Sequence, residues 1–273
     1  MLSEAEFALV AREVKARSGQ TLTPEIGAAV ENRLLPIARR ENFMSVGEMI
    51  AAARNRPDGK LWTTITDVLA HTETRFFRDR PQFELLRAKL IPEAIKRRGH
   101  ERVRIWSAGC ATGQEPYSIA MLFEEMRDLG VNAAVEIVAT DFSDRLLDKA
   151  RAGLYTQFEV QRGLPIKKLI AHFEKAGDLW RISDRLRASV KFENQNLLKH
   201  PGSLGNFDII LLSHVLHDFD AETKTAVMAR AADVLAPNGV IVLGAGETLP
   251  ENCAGLAIEG SVVTRKSAAR AAA

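Results

Sequence analysis

The sequence predicts an α/β fold preceded by a small all-helical domain, and three features carry that prediction. The first seventy residues read as capped helices. From about residue 80, short β-rich runs alternate with helical stretches. A glycine-bearing turn, SAGCATGQEP, follows the first of those strands, and the next strand ends in an acid. Strands alternating with helices require crossover connections, which build a mostly parallel sheet with helices on both faces.

In chain order, Ser3 and Glu6 form a capping box, with Phe7, Val10, Ala11 and Val14 at helical spacing before Gly19 ends the helix. Thr23 followed by Pro24 opens the next helix, with the threonine as N-cap. Ser45 and Glu48 repeat the capping signature before MIAAAR, and LWTTITDVLA (61–70) continues the helical pattern. PQFELLRAKLIPEAIKRR (81–98) is helical. RVRIWSAG (102–109) reads as a strand ending in glycine, EPYSIAMLFEEMRDLG (115–130) as a helix closed by Gly130, and AVEIVATD (134–141) as a second strand. Later strands are VKFENQNLL (190–198), FDIILLSHV (207–215) and GVIVLGAGE (239–247), with a helix over 221–237 between the last two. Between 173 and 193 the alternating run LWRIS predicts an inserted hairpin or small sheet, where Trp180 is either an anchor or part of a partner-binding surface. The expected domains are 1–72, all-helical, and 73–266, with the insertion at about 175–193. The tail SAARAAA (267–273) is expected to be disordered.

The composition excludes several classes. Of 273 residues, 46% are apolar, enough for a real core. The 37 basic and 35 acidic residues nearly cancel, which argues against nucleic acid or an anionic membrane as partner. Cys110 and Cys253 make no metal-ligand spacing and no disulfide framework, so no metal is expected and a reducing cytoplasm suits the chain. The start MLSEAEFALV lacks a signal-peptide pattern, and no apolar run approaches the roughly 18–20 residues of a membrane span. A soluble cytoplasmic monomer is expected.

The chemistry concentrates at two strand ends. Gly109 and Gly113 lie between strand and helix, where a small side chain lets the backbone approach a ligand. Asp141 closes the next strand, where an acid can bind both ribose hydroxyls. The turn GCATG is a poor dinucleotide fingerprint, and Glu115 at the helix start repels a phosphate. It suits the cationic, phosphate-free ligand S-adenosylmethionine. No NPPY-like tetrapeptide follows strand 207–215, which counts against methylation of a nucleobase amine. SHVLHDFD (213–220) instead has the look of a small-molecule O-methyltransferase, with His214 or His217 as general base.

TETRFFRD (72–79), WSAGCATGQEPYSIA (106–120) and ATDFSDRLLDKARAGLY (139–155) together resemble the chemotaxis receptor methyltransferase family (CheR). So do WRISDRL with VKFENQNLL, NFDII with NGVIVLGAGETL, and the N-terminal SGQTLTPEIGAAVENRLLPIARR. The resemblance covers nearly the whole chain. It implies a Rossmann-like class I methyltransferase sheet with a small inserted β-subdomain, behind a helical N-terminal domain. It implies methyl transfer from S-adenosylmethionine, leaving S-adenosylhomocysteine, to glutamate side chains on the cytoplasmic helices of chemoreceptors. The β-subdomain tethers a receptor's C-terminal peptide in some members.

The same resemblance implies cofactor contacts at Thr74, Arg78, Glu115, Asp141, Asn196 and Leu197, with Gly109 in the turn. Arg78 would position the methionine end, Asp141 the ribose, and Glu115 would face the cationic end. Three departures stand out: Thr72 where the family often has Asn, Ser213-His214 where it has Arg-Asn, and Asp218 where it has an aromatic residue. Ser213 and His214 remain candidate cofactor contacts, and His214 a candidate base. Arg33, Arg39 and Arg40 are candidates for meeting acidic receptor helices, against a plain solvated face. Three functions stay open: receptor methyltransferase, small-molecule O-methyltransferase, and a non-catalytic receptor-binding module.

Overall fold

The computed structural model describes residues 2–56 and 59–266, so the tail 267–273 lies outside the described residues. The chain divides into two compact units, Met1–His71 with Asp218–Thr223, and Thr72–His217 with Lys224–Ala273.

The first unit holds α1 (Glu4–Ser18), α2 (Gly27–Arg40), α3 (Val46–Arg54) and α4 (Lys60–Leu69). Their buried faces join Val10, Val14, Val30, Leu34, Met49, Ile50, Trp62 and Ile65 in one core. The Ser3–Glu6 capping box forms in full, and Gly19 caps α1 in the left-handed conformation. Two expected caps differ. Thr23 precedes a 3-10 turn, Pro24–Ile26, and its side chain makes no cap bond, so α2 begins only at Gly27. Ser45 accepts the Glu48 N–H, but the Glu48 carboxylate turns back to the Met44 N–H rather than completing the box. Within this unit Phe219 bridges Gln20, and Lys15 pairs with Asp220 at 2.6 Å.

The second unit opens with α5 (Arg80–Leu85) and α6 (Ile91–Arg98), joined by one π-helical turn, Leu86–Leu90. The wide turn precedes Pro92, which has no N–H for the ordinary ladder. Then follow β1 (Val103–Ala108), α7 (Gln114–Asp128), β2 (Val135–Asp141), α8 (Asp144–Ala152), β3 (Leu154–Thr156), α9 (Gln157–Gln161) and α10 (Ile166–His172). Next come β4 (Phe173–Ala176), β5 (Leu179–Ile182), α11 (Asp184–Ala188), β6 (Val190–Asn194) and β7 (Phe207–Leu212). The chain closes with α12 (Ala221–Asp233), β8 (Leu235–Leu243), β9 (Leu256–Glu259) and β10 (Val262–Arg265).

The main sheet has seven strands in the order β6-β2-β1-β7-β8-β10-β9. Pairing is parallel from β6 through β8, and antiparallel at β8–β10 and β10–β9. The β1 and β7 strands are buried almost throughout, because central strands covered on both faces have no solvent side. Their Ile105, Ile209 and Leu211 join Leu86, Ile91, Tyr117 and Met121 in the main core.

Several expected boundaries shift. The strand 207–215 ends at Leu212 and 190–198 ends at Asn194, leaving SHV and QNLL as loops at the sheet's carboxyl edge. The helix 221–237 stops at Asp233, because Leu235 and Ala236 are buried as the start of β8. Here β8 pairs Leu235 with Phe207 and then slips before Val240 pairs with Ile209, a bulge with Asn238 at φ 58°. The insertion near 175–193 is a three-stranded sheet, β3-β5-β4. It draws β3 from upstream of that span, while Val190–Asn194 at its far end pairs with β2 in the main sheet.

Candidate active site

In the strand order, β1 leads to β2 and β6 on one side, and to β7 and β8 on the other. A crevice for ligands opens at the carboxyl ends where the order reverses. The candidate cofactor residues stand at or just beyond those ends, in the first turn of α7, or on the segment 72–78.

Below the turn, the Gly109 and Cys110 N–H groups both donate to the Thr140 carbonyl at 2.8 Å, fastening it to β2. Gly109 has φ 75°, and a Cβ there would lie 2.8 Å from Val215 Cγ2. Only glycine satisfies both the dihedral and the space. Ala111, at φ 46°, is held in this costly region because its N–H donates to Asp141 Oδ2 at 3.0 Å. Asp141 Oδ1 accepts the Ser143 N–H at 3.0 Å, and the Gln195 N–H donates to the Asp141 carbonyl at 3.1 Å. Asp141 therefore organises three segments of the carboxyl edge. Asn196 and Leu197 follow, both half-buried. Asn196 Oδ1 accepts the Leu198 N–H, and the Leu197 carbonyl accepts from Arg230.

Glu115 opens α7 half-buried, and Ser107 Oγ donates to its Oε1 at 2.7 Å. Burial pushes the Glu115 pKa from 4.5 up to about 7, and nearby Glu247 adds to the rise; Ser107, Ser213 and Arg78 oppose it. Ser213 Oγ is sealed from solvent without a well-formed hydrogen bond, although its hydroxyl faces Glu115 closely enough to favour the carboxylate. Arg78 is half-buried and donates to the Glu73 carbonyl at 2.9 Å. Thr72 and Thr74 lie half-buried in the irregular segment just ahead of it.

His214 has φ 58°, a left-handed position that His, Asn and Asp tolerate better than most residues. Its Nε2 lies 2.5 Å from Asp79 Oδ2, which also accepts the Ala245 N–H at 2.8 Å. Burial raises the Asp79 pKa, but the Ala245 N–H, His214 and Arg78 outweigh it and hold the carboxyl below its ordinary range. Glu247 gathers three backbone N–H groups, from Gly244 and His214 at 2.7 Å and from Leu216 at 3.1 Å. His217 is more exposed, with Nδ1 3.9 Å from Glu247 Oε1. Gln82 ties α5 to the Leu243 carbonyl at the end of β8.

Ser107, Asp79 and Glu247 are the site residues that sequence reasoning missed. Asp79 and Glu247 were in view as the acids of FFRD and GAGETL, but their partners are backbone N–H groups of other loops. In the helical unit, Arg33 and Arg40 stand seven residues apart, on nearly one stripe of α2, while Arg39 lies about 100° around the helix. Arg33 reaches the Leu69 carbonyl at 3.4 Å, and Arg40 pairs with Glu41.

Four carboxylates, a glycine turn and an unsatisfied buried hydroxyl at the carboxyl edge of a parallel sheet suit a ligand with a cationic end and ribose hydroxyls. S-adenosylmethionine fits that description, and the fold and site together define a class I methyltransferase. The family described as "CheR methyltransferase, SAM binding domain" matches residues 72–261. Chemotaxis protein methyltransferase 1 of Pseudomonas aeruginosa is 36% identical over 251 residues, covering 90% of this chain and 91% of that protein. Chemotaxis protein methyltransferase Cher2 of Pseudomonas putida is 37% identical over 224 residues, covering 81% and 82%. The chain belongs to the CheR methyltransferase family. Its cofactor is S-adenosylmethionine. Among the described residues, no helix is long and apolar enough to cross a membrane.

Proposed function

We propose that this chain transfers the methyl group of S-adenosylmethionine to glutamate side chains of chemoreceptors, forming methyl esters. The observation that carries the reading is the match to chemotaxis methyltransferases along 90% of the chain. When bound, the cofactor supplies an electrophilic methyl on a sulfonium centre. The remaining work falls to the chain's own residues. Asp141 would take the ribose hydroxyls, Arg78 the carboxylate of the methionine end, and Glu115 with Ser213 the ammonium group. Thr72, Thr74, Asn196 and Leu197 would line the same pocket.

An acceptor glutamate, with an ordinary pKa of about 4.3, is already ionised near neutrality and needs no base. The site's task is alignment and exclusion of water. His214 accordingly acts as a structural pin on Asp79 rather than as a proton acceptor. The family match favours neither small-molecule methylation through His214 or His217 nor a non-catalytic module. Arg33 and Arg40 would meet the acidic receptor helices. A C-terminal receptor peptide would add to the three-stranded sheet, where β4 is an edge strand.

The test is radiolabelled methyl transfer onto receptor-containing membranes, followed by base treatment. Base-labile label on a receptor band, released as methanol and lost in Asp141→Ala, is the expected result. Base-stable label would exclude a carboxyl ester.

A further inference from the structure

We propose that Tyr155 is a positioning residue of the cofactor site, through which the three-stranded sheet and the glycine turn hold one another. The inference rests on the assignment of that turn to S-adenosylmethionine. Tyr155 lies on β3 and is fully buried. Its hydroxyl donates to the Thr112 carbonyl at 2.8 Å, across 43 residues of chain. Thr112 sits between Ala111 at φ 46° and Gly113 at φ 91°. Two tethers thus hold this strained turn: the Asp141 carboxylate takes the Ala111 N–H, and the tyrosine hydroxyl takes the next carbonyl.

The ring serves a second segment. Phe76 meets it edge-on, centroids 5.1 Å apart, two residues before Arg78. Phe173 of β4 packs on it from the small sheet at 6.3 Å. Along β3, Tyr155 stands in register with Trp180 of β5. One side chain therefore touches the turn, the arginine-bearing segment and the small sheet. Binding energies coupled through such a contact are reciprocal: ordering the turn also orders the sheet.

Any buried tyrosine needs an acceptor, and Tyr117 provides the comparison. It is equally buried and its ring lies beside Gly113, but its hydroxyl donates at 2.8 Å to the Ala150 carbonyl in α8 rather than to a carbonyl of the turn. Tyr155→Phe removes only the tether and keeps the ring. Calorimetric titration with S-adenosylhomocysteine should give a Kd about fivefold to tenfold higher, the worth of one net hydrogen bond. The kcat at saturating cofactor should stay within about twofold, because the tether acts on cofactor affinity rather than on the reacting atoms. Tyr117→Phe should lower the thermal midpoint with a clearly smaller change in Kd, because the ring beside Gly113 is kept and only the bond to α8 is lost.

An unchanged Kd in Tyr155→Phe, or an equal loss in Tyr117→Phe, would overturn the proposal. Failure of the unmodified protein to bind S-adenosylhomocysteine would instead sink the cofactor assignment beneath it. Hydrogen exchange on the unmodified protein gives a second test that needs no variant. S-adenosylhomocysteine should slow exchange in the β3–β5 pair as well as in the turn, and protection of the turn alone would refute the coupling.

Discussion

Asp79 Oδ2 lies 2.5 Å from His214 Nε2 while accepting the Ala245 N–H, so one carboxylate oxygen joins the loops after β7 and β8 to the segment that carries Arg78. Both residues have left-handed backbones, φ 60° for Asp79 and φ 58° for His214. Such strain persists only where surrounding bonds over-determine it.

The His214 contact separates a pin from a base. His214→Gln carries an amide nitrogen about as far out as the ring Nε2, so it can still donate to Asp79 while having no group that takes a proton near neutrality. We expect it to retain activity within about threefold across pH 6–9, whereas loss of a general base costs about 10²–10⁴ in rate. Initial rates of receptor methylation decide between the two. Asp79→Ala, which releases three segments at once, should weaken S-adenosylhomocysteine binding at least tenfold, by the loss of a charge-assisted bond worth about 1.5–3 kcal/mol.

Glu115 sets a pH dependence. Its pKa in the ligand-free protein is raised from 4.5 to about 7, chiefly by burial. A carboxyl raised by folding favours the protonated form, so its contribution to stability falls as pH rises between those two values. Affinity for the cofactor's ammonium group should move the opposite way and increase several-fold from pH 6 to pH 8. Calorimetry with S-adenosylhomocysteine at both pH values checks this, and Glu115→Gln should flatten the difference.

Glu247 is the second clamp. Replacing it with Gln leaves an amide NH₂ facing backbone N–H donors, at a cost of about 2 kcal/mol. Thermal unfolding should show a fall of several degrees. Gly244→Ala should act on the same cluster, because its Cβ would stand 2.7 Å from Glu247 Oε2 and 2.8 Å from the His214 nitrogen.

The arginines of α2 are separable by their phase on the helix. Arg33→Glu with Arg40→Glu should raise KM for receptor substantially and reduce its salt sensitivity, with S-adenosylhomocysteine affinity unchanged. Arg39→Glu, a quarter-turn away, should do less. Steady-state kinetics at two ionic strengths reads both effects.

Strands β1, β2 and β7 were legible because short stretches rich in β-branched and other apolar residues, RVRIW, VEIVA and FDIILL, alternate with helical stretches. The strands β9 and β10, only four residues each, carry too short a pattern to be told from loop. The end of α12 was misread because AADVLAP continues the helical period, although burial of Leu235 and Ala236 against the sheet decides the matter. Gly109, Glu115 and Asp141 stood out because a general rule ties ligand sites to the carboxyl ends of parallel strands. Asp79 and Glu247 obey no such rule. Asp79 meets Ala245 across 166 residues, and Glu247 meets His214 across 33, on backbone donors that any amino acid could supply. Nor does SHVLHDFD disclose that its first histidine is fixed through its backbone as much as its ring.

The helical unit is built from two stretches of chain, because Asp218–Thr223 belongs with Met1–His71. A shortened protein beginning at Thr72 would remove Gln20 and Lys15, the partners of Phe219 and Asp220, and bare a phenylalanine that is only 7% exposed. No single cut separates the two units cleanly. Grafting the helical unit onto a relative to redirect receptor choice would therefore require exchanging the six-residue return segment as well, since a swap of the N-terminal stretch alone would mate one parent's helices with the other's insert.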